Sequence, residues 1–331
     1  MNVMYGSDDN YAWLMGISMI SLFENNKESK EINVYLFGDK ISQENEKKLY
    51  DIAEKYNRRL EIIDVNDLRL PEKLYTTRYP KSAYSRLFAY DLLPKDVEKI
   101  LYLDCDIIVV GSVEDLYDRN VSNYAFMAVQ DFLSNGYKRK NGLEKTDTYI
   151  NTGVMLLNLV KFRELTIAQR IEAFVDKYSG GICHADQDIF NGIFQGEFFV
   201  LPPYYNVMTQ MNQYSYEQIL KTWHPSNYYS KEEIEFAKEN PRIYHYTACL
   251  MDIRPWFADS QVKNAWAFDK YMQMSPWADR EKKQMVFGTS KKMIVKGAGL
   301  LPDMGRCLVL RTIHAHLRPF VLYLKTKPWM S

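Results

Sequence analysis

Lys99-Ile-Leu-Tyr-Leu-Asp-Cys-Asp-Ile-Ile-Val-Val110 sets two carboxylates, one residue apart, between two apolar runs. An apolar run of this length bounded by turn signals reads as a buried strand of a mostly parallel sheet. Strand side chains alternate faces, which predicts Asp104 and Asp106 on one side and Cys105 on the other. Charges inside such a strand are costly, and two carboxylates on one face repel unless a proton or a cation lies between them. The pattern points to a divalent metal. A D-x-D tripeptide by itself also fits a turn cap beside a solvated acid. The long apolar flanks favour a rigid strand whose end is polar for a reason.

Working outward, residues 3–10 read as a strand, a tight turn at Gly6 and a helix start with N-cap residues from Ser7 to Asn10. Residues 11–23 then carry apolar side chains at helical spacing. A second strand is predicted over 31–38, a helix from Ser42 to Tyr56 with Glu44 and Glu46 in its first turn, and a third strand over 60–65. Residues 82–93 read as a helix closed by Pro94. Downstream, 124–131 reads as a strand ending in Asp131, and 149–159 places Asn151-Thr152-Gly153 ahead of a buried run. His184-Ala-Asp-Gln-Asp188 sits at the start of a short helix over 189–194. Residues 242–247 form a short strand near His245, followed by Arg254-Pro-Trp256. This alternation predicts an α/β fold with right-handed crossovers. Ligands of open α/β sheets sit beyond the carboxyl ends of the strands. Asp8, Asp104, Asp106, Asp131 and Asn151 all fall at or near strand termini.

The 331 residues carry a formal net charge of zero, which argues against a general nucleic-acid binder. The zero hides an asymmetry. Residues 280–331 hold eleven Lys/Arg and two Asp/Glu, a net +9, so the remainder carries −9. A basic, mainly helical C-terminal region, residues 277–331, is therefore set apart from a body of residues 1–276. In residues 308–324 apolar side chains lie between cations, as in a helix lying on a membrane surface, which predicts peripheral membrane contact through this tail. Cys105, Cys183, Cys249 and Cys307 form no C-x-x-C, which reads as packing cysteines in a reducing compartment. No signal peptide and no membrane-spanning run is read, and the expectation is a cytoplasmic protein, peripheral on the inner face of the membrane.

Six motifs in order resemble glycosyltransferase family 8, which includes bacterial lipopolysaccharide galactosyl- and glucosyltransferases and, more distantly, glycogenin. They are Ser7-Asp-Asp-Asn-Tyr11, Tyr84-Ser-Arg-Leu87, Leu101-Tyr-Leu-Asp-Cys-Asp106, Asn151-Thr-Gly-Val154, Asp186-Gln-Asp188 and His245-Tyr246. The resemblance spans Tyr5 to about Trp256. It implies a GT-A fold, a Rossmann-like nucleotide-binding sheet, and a retaining enzyme that uses a UDP-sugar with Mn²⁺ (or Mg²⁺). By that analogy Asp104, Asp106 and His245 are metal ligands. Gly6, Asp8 and Asn10 lie on the nucleotide, with Asp8 and Asn10 at the uridine. Arg86 and Arg254 serve the phosphate or sugar, and Asp131, Asn151, Asp186 and Gln187 surround the hexose. The implied partners are a UDP-hexose donor (Glc or Gal) and a saccharide or lipid-linked acceptor.

The residue types agree with that chemistry. A leaving diphosphate develops negative charge that a metal and arginines neutralise, and a mixed oxygen and nitrogen donor set suits Mn²⁺. Gln187 is a poor nucleophile, so a front-face displacement is favoured, with Asp186 the alternative nucleophile. The family's usual His-Tyr-x-Gly followed by Lys-Pro-Trp is altered: Ala248 replaces the glycine, the loop is longer, and Arg254 stands for the lysine. Two rival readings remain from sequence, a HAD-like phosphatase with Asp104 as nucleophile and a catalytically degenerate sugar-nucleotide-binding protein.

Overall fold

The computed structural model describes residues 1–74, 80–178, 182, 184–249 and 252–321. Cys183, Leu250, Met251 and the tail residues Leu324, Lys325 and Lys327 lie outside the described residues. The strands are β1 (Asn2–Asp8), β2 (Asn33–Asp39), β3 (Arg59–Asp64), β4 (Lys99–Leu103), β5 (Ile107–Val109), β6 (Phe126–Gln130), β7 (Ile150–Asn158), β8 (Phe198–Leu201), β9 (Val207–Met208) and β10 (Ile243–His245). Seven of them form the main sheet in the order β3-β2-β1-β4-β7-β6-β8. Its pairings are parallel except where β7 runs antiparallel to both β4 and β6. The predicted α/β fold with a mostly parallel sheet is what the chain adopts. Alternate residues of β1 feed opposite cores, Val3 and Tyr5 to one face and Met4 to the other. The helix Ala12–Asn25 is buried on all sides along residues 12–23, as its nearly continuous apolar sequence requires. Ser42 caps the next helix, Gln43–Lys55, accepting from the Asn45 amide at 3.3 Å.

Three sequence expectations need correction. The quoted stretch is not one strand. Its first half is β4 in the main sheet, its second half is β5 in a separate sheet ordered β5-β10-β9, and Asp104-Cys105-Asp106 is the turn between them. The chain leaves the main sheet where charge interrupts the apolar run, since a central strand buried on both faces has no place for two carboxylates.

Gly6 is not in a turn either. It lies within β1, where a Cβ would stand 2.5 Å from the Ser82 carbonyl oxygen, and its missing side chain lets the helix Lys81–Ser85 lie against the strand. The predicted helix over 82–93 is broken into Lys81–Ser85, a 3₁₀ turn Arg86–Phe88 and Ala89–Leu92. The tightening falls where Arg86 turns inward to two acids.

Gly6→Ala should lower stability by about 1–3 kcal/mol, because the obstructing atom is backbone and cannot rotate away. Urea unfolding of the two proteins measures this, and equal midpoints would refute the close-approach role.

Candidate active site

Strand register assembles the site. In the antiparallel pairing of β5 with β10, His245 stands opposite Ile107, the residue after Asp106. In the main sheet Leu103 pairs with Val154, and the Asp104 amide donates to the Gly153 carbonyl at 2.8 Å. Because β7 is antiparallel to β4, the start of β7 meets the end of β4, and this brings Asn151-Thr152-Gly153 to the two acids. His245 Nε2 lies 3.2 Å from Asp106 Oδ1 and 3.6 Å from Asp104 Oδ2. One ligand atom from each of Asp104, Asp106 and His245 falls within 4.8 Å of the others.

These residues fit a divalent metal. Asn206 Oδ1 lies 2.9 Å from His245 Nδ1, and Asn206 Nδ2 donates to Asn151 Oδ1 at 2.8 Å. With the Asn206 oxygen so aligned, Nδ1 carries the proton and Nε2 turns its lone pair toward the carboxylates, the arrangement a metal ligand requires. A Cβ on Gly153 would stand 2.3 Å from His245 Cε1 and 2.8 Å from Asp104 Oδ2, so only glycine leaves the ligands room.

Two arginines divide the negative charge. Buried Arg86 reaches Asp104 Oδ1 at 2.9 Å and Asp186 Oδ2 at 3.3 Å, donates to the Thr152 carbonyl at 3.0 Å, and lies 3.9 Å from the centre of the Tyr102 ring. Arg254 donates to Asp106 Oδ2 at 2.9 Å and to the Tyr246 carbonyl at 3.0 Å, so the longer loop of residues 248–254 still delivers its guanidinium to the acids. Gln187 bridges the remaining polar groups. Its Nε2 donates to Asp131 Oδ2 at 3.1 Å, and its Oε1 accepts from Asn151 Nδ2 and the Thr152 amide, both at 3.2 Å. Ala185, just before this run, has φ of 48°, a conformation that costs about 1–3 kcal/mol for a residue with a side chain.

Two cavities meet at Arg86, Asp104 and Asp106. One, of about 350 Å³, is lined by Asp131, Asn151, Asp186, Gln187, His245 and Arg254. The other, of about 310 Å³, runs past Gly6, Asp8 and Tyr11. Eleven of the twelve expected site residues therefore border one continuous cleft. Asn10 does not. It lines a separate hollow with Trp13 and Trp256, and its amide touches Asp8 Oδ2 at 3.4 Å. The cleft also holds residues the sequence did not single out: Met208, Gln210, Trp223, His184 and, from the basic tail, His314. His184 stood in a quoted motif and could have been flagged, whereas His314 lies far along the chain, past the quoted motifs.

Burial pushes the Asp106 carboxyl up, but the Arg254 guanidinium beside it outweighs burial, and the carboxyl is held at about 2. Burial raises Asp186 to about 6, with Asp104 adding to the push and Arg86 and Thr152 opposing it. Arg86 lies closer to Asp104 than to Asp186, which gives Asp186 the smaller share of its charge. A carboxyl raised on folding contributes stability below its unfolded pKa and loses it as pH climbs through the folded value. In metal-free buffer, raising the pH from about 4 to about 6 should therefore shift stability toward Asp186→Asn relative to wild type, by about 2 kcal/mol. Denaturant titrations across that range measure the difference, and a constant difference would refute the raised carboxyl.

A sequence model of the family described as glycosyl transferase family 8 matches residues 2–260. Among curated proteins, General stress protein A of Bacillus subtilis is 25% identical over 283 residues, covering 84% of this chain and 94% of its own length. A lipopolysaccharide 1,2-glucosyltransferase of Escherichia coli is 29% identical over 296 residues, covering 86% and 81%. Among solved structures, the galactosyltransferase LgtC in complex with donor and acceptor sugar analogues superposes with a TM-score of 0.69 at 23% identity, over 88% of this chain and 99% of that one. The apo bifunctional glycosyltransferase WbbM gives 0.67 at 20% identity, over 84% and 50%. At these identities the structural likeness speaks for the fold.

Proposed function

The chain belongs to glycosyl transferase family 8 and is a glycosyltransferase, and from that premise we propose that it moves a hexose, Glc or Gal, from a UDP-sugar to a saccharide or lipid-linked acceptor with retention of configuration. The observation that carries the proposal is the convergence of Asp104, Asp106 and His245 at the junction of two cavities, with an arginine on each acid. In this reading the cavity past Gly6 and Asp8 takes the nucleotide, with Asn10 supporting Asp8 from outside it. The cavity lined by Asp131, Asn151, Asp186 and Gln187 takes the hexose, whose hydroxyls need the carboxylate and amide partners found there. Asp104, Asp106 and His245 hold Mn²⁺ (or Mg²⁺), which when bound offsets the charge developing on the leaving diphosphate.

Arg254 is the residue best placed to exchange a partner during the reaction. Its guanidinium is partly exposed and borders the hexose-side cavity next to Asp106, so it can turn a fork toward a phosphate without leaving that acid. Arg86 is buried and engaged by Asp104, Asp186 and the Thr152 carbonyl, although its Nε makes no hydrogen bond, and it acts by keeping those groups in place. Gln187 has its oxygen engaged by two donors, which makes it a positioning group and not a nucleophile. We therefore favour front-face displacement. The bond from the anomeric carbon to UDP breaks, the acceptor oxygen bonds on the same face, and its proton passes to a phosphate oxygen of the leaving group. Asp186 is the alternative nucleophile.

The division into a catalytic body (residues 1–276) and a basic extension (residues 277–331) belongs to the same proposal, as does a cytoplasmic position against the membrane. No helix among the described residues is long and apolar enough to cross a membrane. Leu300, Leu308, Leu317 and Phe320 are exposed on the extension, which supports peripheral contact.

Release of UDP from a panel of UDP-sugars with Mn²⁺ tests the reading. Asp104→Asn and Asp106→Asn should each lower turnover at least about 100-fold, by analogy with loss of one group stabilising transition-state charge. Unchanged turnover in both would remove the metal role, and UDP binding without release in the wild type would favour a non-catalytic binder. Asn206→Ala should weaken Mn²⁺ binding about 10- to 100-fold by freeing the His245 ring. Calorimetric titration with Mn²⁺ reads this directly, and wild-type affinity in the variant would discard the tautomer argument.

A further inference from the structure

Beside the cleft, the helix Asn135–Lys140 and residues 315–320 of the extension enclose a second hollow of about 460 Å³. Its lining includes Asn135, Arg139, Lys140, His224, His316 and Phe320, and no carboxylate. Lys140 is 6% exposed, yet among the described residues its ammonium has a single partner, Asn141 Oδ1 at 3.4 Å. Asn141 in turn donates to Asp188, but that carboxylate is already taken by Asn141, Tyr149 and the His184 amide. An ammonium withdrawn from water without a counter-charge is among the costlier groups a protein can bury.

The neighbours add positive charge and do not relieve it. Arg139 and Arg311 have no carboxylate partner among the described residues, and Arg311 donates to His224 Nε2 at 2.9 Å. Burial, then Arg311, His316 and Lys145, lower the His224 pKa. Asn135 Oδ1 beside it is buried with no hydrogen-bond partner, so this corner of the fold leaves an amide as well as an ammonium poorly satisfied. Ala315, Pro319 and Phe320 give the lining an apolar side, and Phe320 is 58% exposed; Leu317 and Val321, 53% and 45% exposed, follow on the same stretch of the extension.

We propose that this hollow binds a phosphate group, and that the apolar side holds the chain carrying it. Oxygens of a phosphate would meet Lys140 and Arg139, satisfying the buried cation by charge-assisted hydrogen bonds. The site shares no lining residue with the sugar-transfer cleft beside it, and it differs from diffuse attraction of a basic tail to a membrane in requiring these residues and not merely their charge.

The test uses the full chain, inorganic phosphate, and phosphatidylcholine vesicles with and without phosphatidylglycerol. Phosphate should raise the Tm of the wild type, and phosphatidylglycerol vesicles should bind it in competition with phosphate. Arg139→Gln and Lys140→Met should each weaken both interactions at least about tenfold, the loss expected for one charge-assisted hydrogen bond. Lys140→Met without phosphate should melt higher than wild type, because it removes an uncompensated buried charge. Lys283→Gln, exposed and outside the hollow, serves as control. If it weakens vesicle binding as much as Arg139→Gln does, or if phosphate leaves the Tm unchanged, the phosphate site is overturned. Phosphate binding without vesicle binding would uphold the site and overturn the apolar carrier. UDP release should be the same in all three variants, so loss of the sugar-transfer reading would leave this result standing.

Discussion

Asp104 and Asp106 are held close together by backbone geometry, and their repulsion is the constraint around which the molecule is arranged. They occupy the turn between two strands that belong to different sheets, so neither can move without unpairing one. The protein answers with a guanidinium on the outer oxygen of each acid, Arg86 at Asp104 Oδ1 and Arg254 at Asp106 Oδ2. The inner oxygens, Asp104 Oδ2 and Asp106 Oδ1, are left facing His245 Nε2, whose proton has been directed to the opposite nitrogen by Asn206. Compensation on the outside combined with exposed lone pairs on the inside is what distinguishes a binding site from a structural ion-pair network.

Much of this was legible in the sequence because the chemistry is local. The D-x-D pair, the Asn151-Thr152-Gly153 run and Asp186-Gln187 are each a short polar interruption of an apolar segment, and each lies on the cleft. The α/β alternation was legible for the same reason, since strands buried on both faces and amphipathic helices carry different periods. The split of the quoted stretch was not. Its alternation of side-chain faces is the same whether residues 99–110 continue in one sheet or pass into another, and only the pairing of β5 with β10, 134 or more residues later in sequence, decides. Both readings bring the acids together, so the candidate site does not depend on which of them holds.

Asn206, His314 and Gly6 show three other ways information is lost. Asn206 acts through one bond to His245 and sits in a segment with no polar pattern of its own. His314 reaches the cleft from the π-helical turn Thr312–Leu317, in a region whose composition advertised only charge. Gly6 resembles a turn residue because glycine is common in turns, whereas its use here is to let a helix backbone lie against a strand.

The altered loop after His245 shows how a motif can drift while its geometry survives. The described residues on the Arg254 side of this loop are tied at several points. Tyr214 donates to Asp252 Oδ2 at 2.8 Å, Ser260 donates to the Ile253 carbonyl at 2.6 Å, and the Arg254 guanidinium lies 5.1 Å from the centre of the Trp256 ring. Arginine suits that arrangement better than lysine, because a planar fork can rest on an aromatic face while donating to Asp106 and the Tyr246 carbonyl at once. A lysine has one charged nitrogen and could serve only one of these directions with the same geometry. Arg254 therefore ties Asp106, the Tyr246 carbonyl and the Trp256 ring into one set of contacts, which depends on a planar side chain with several donors.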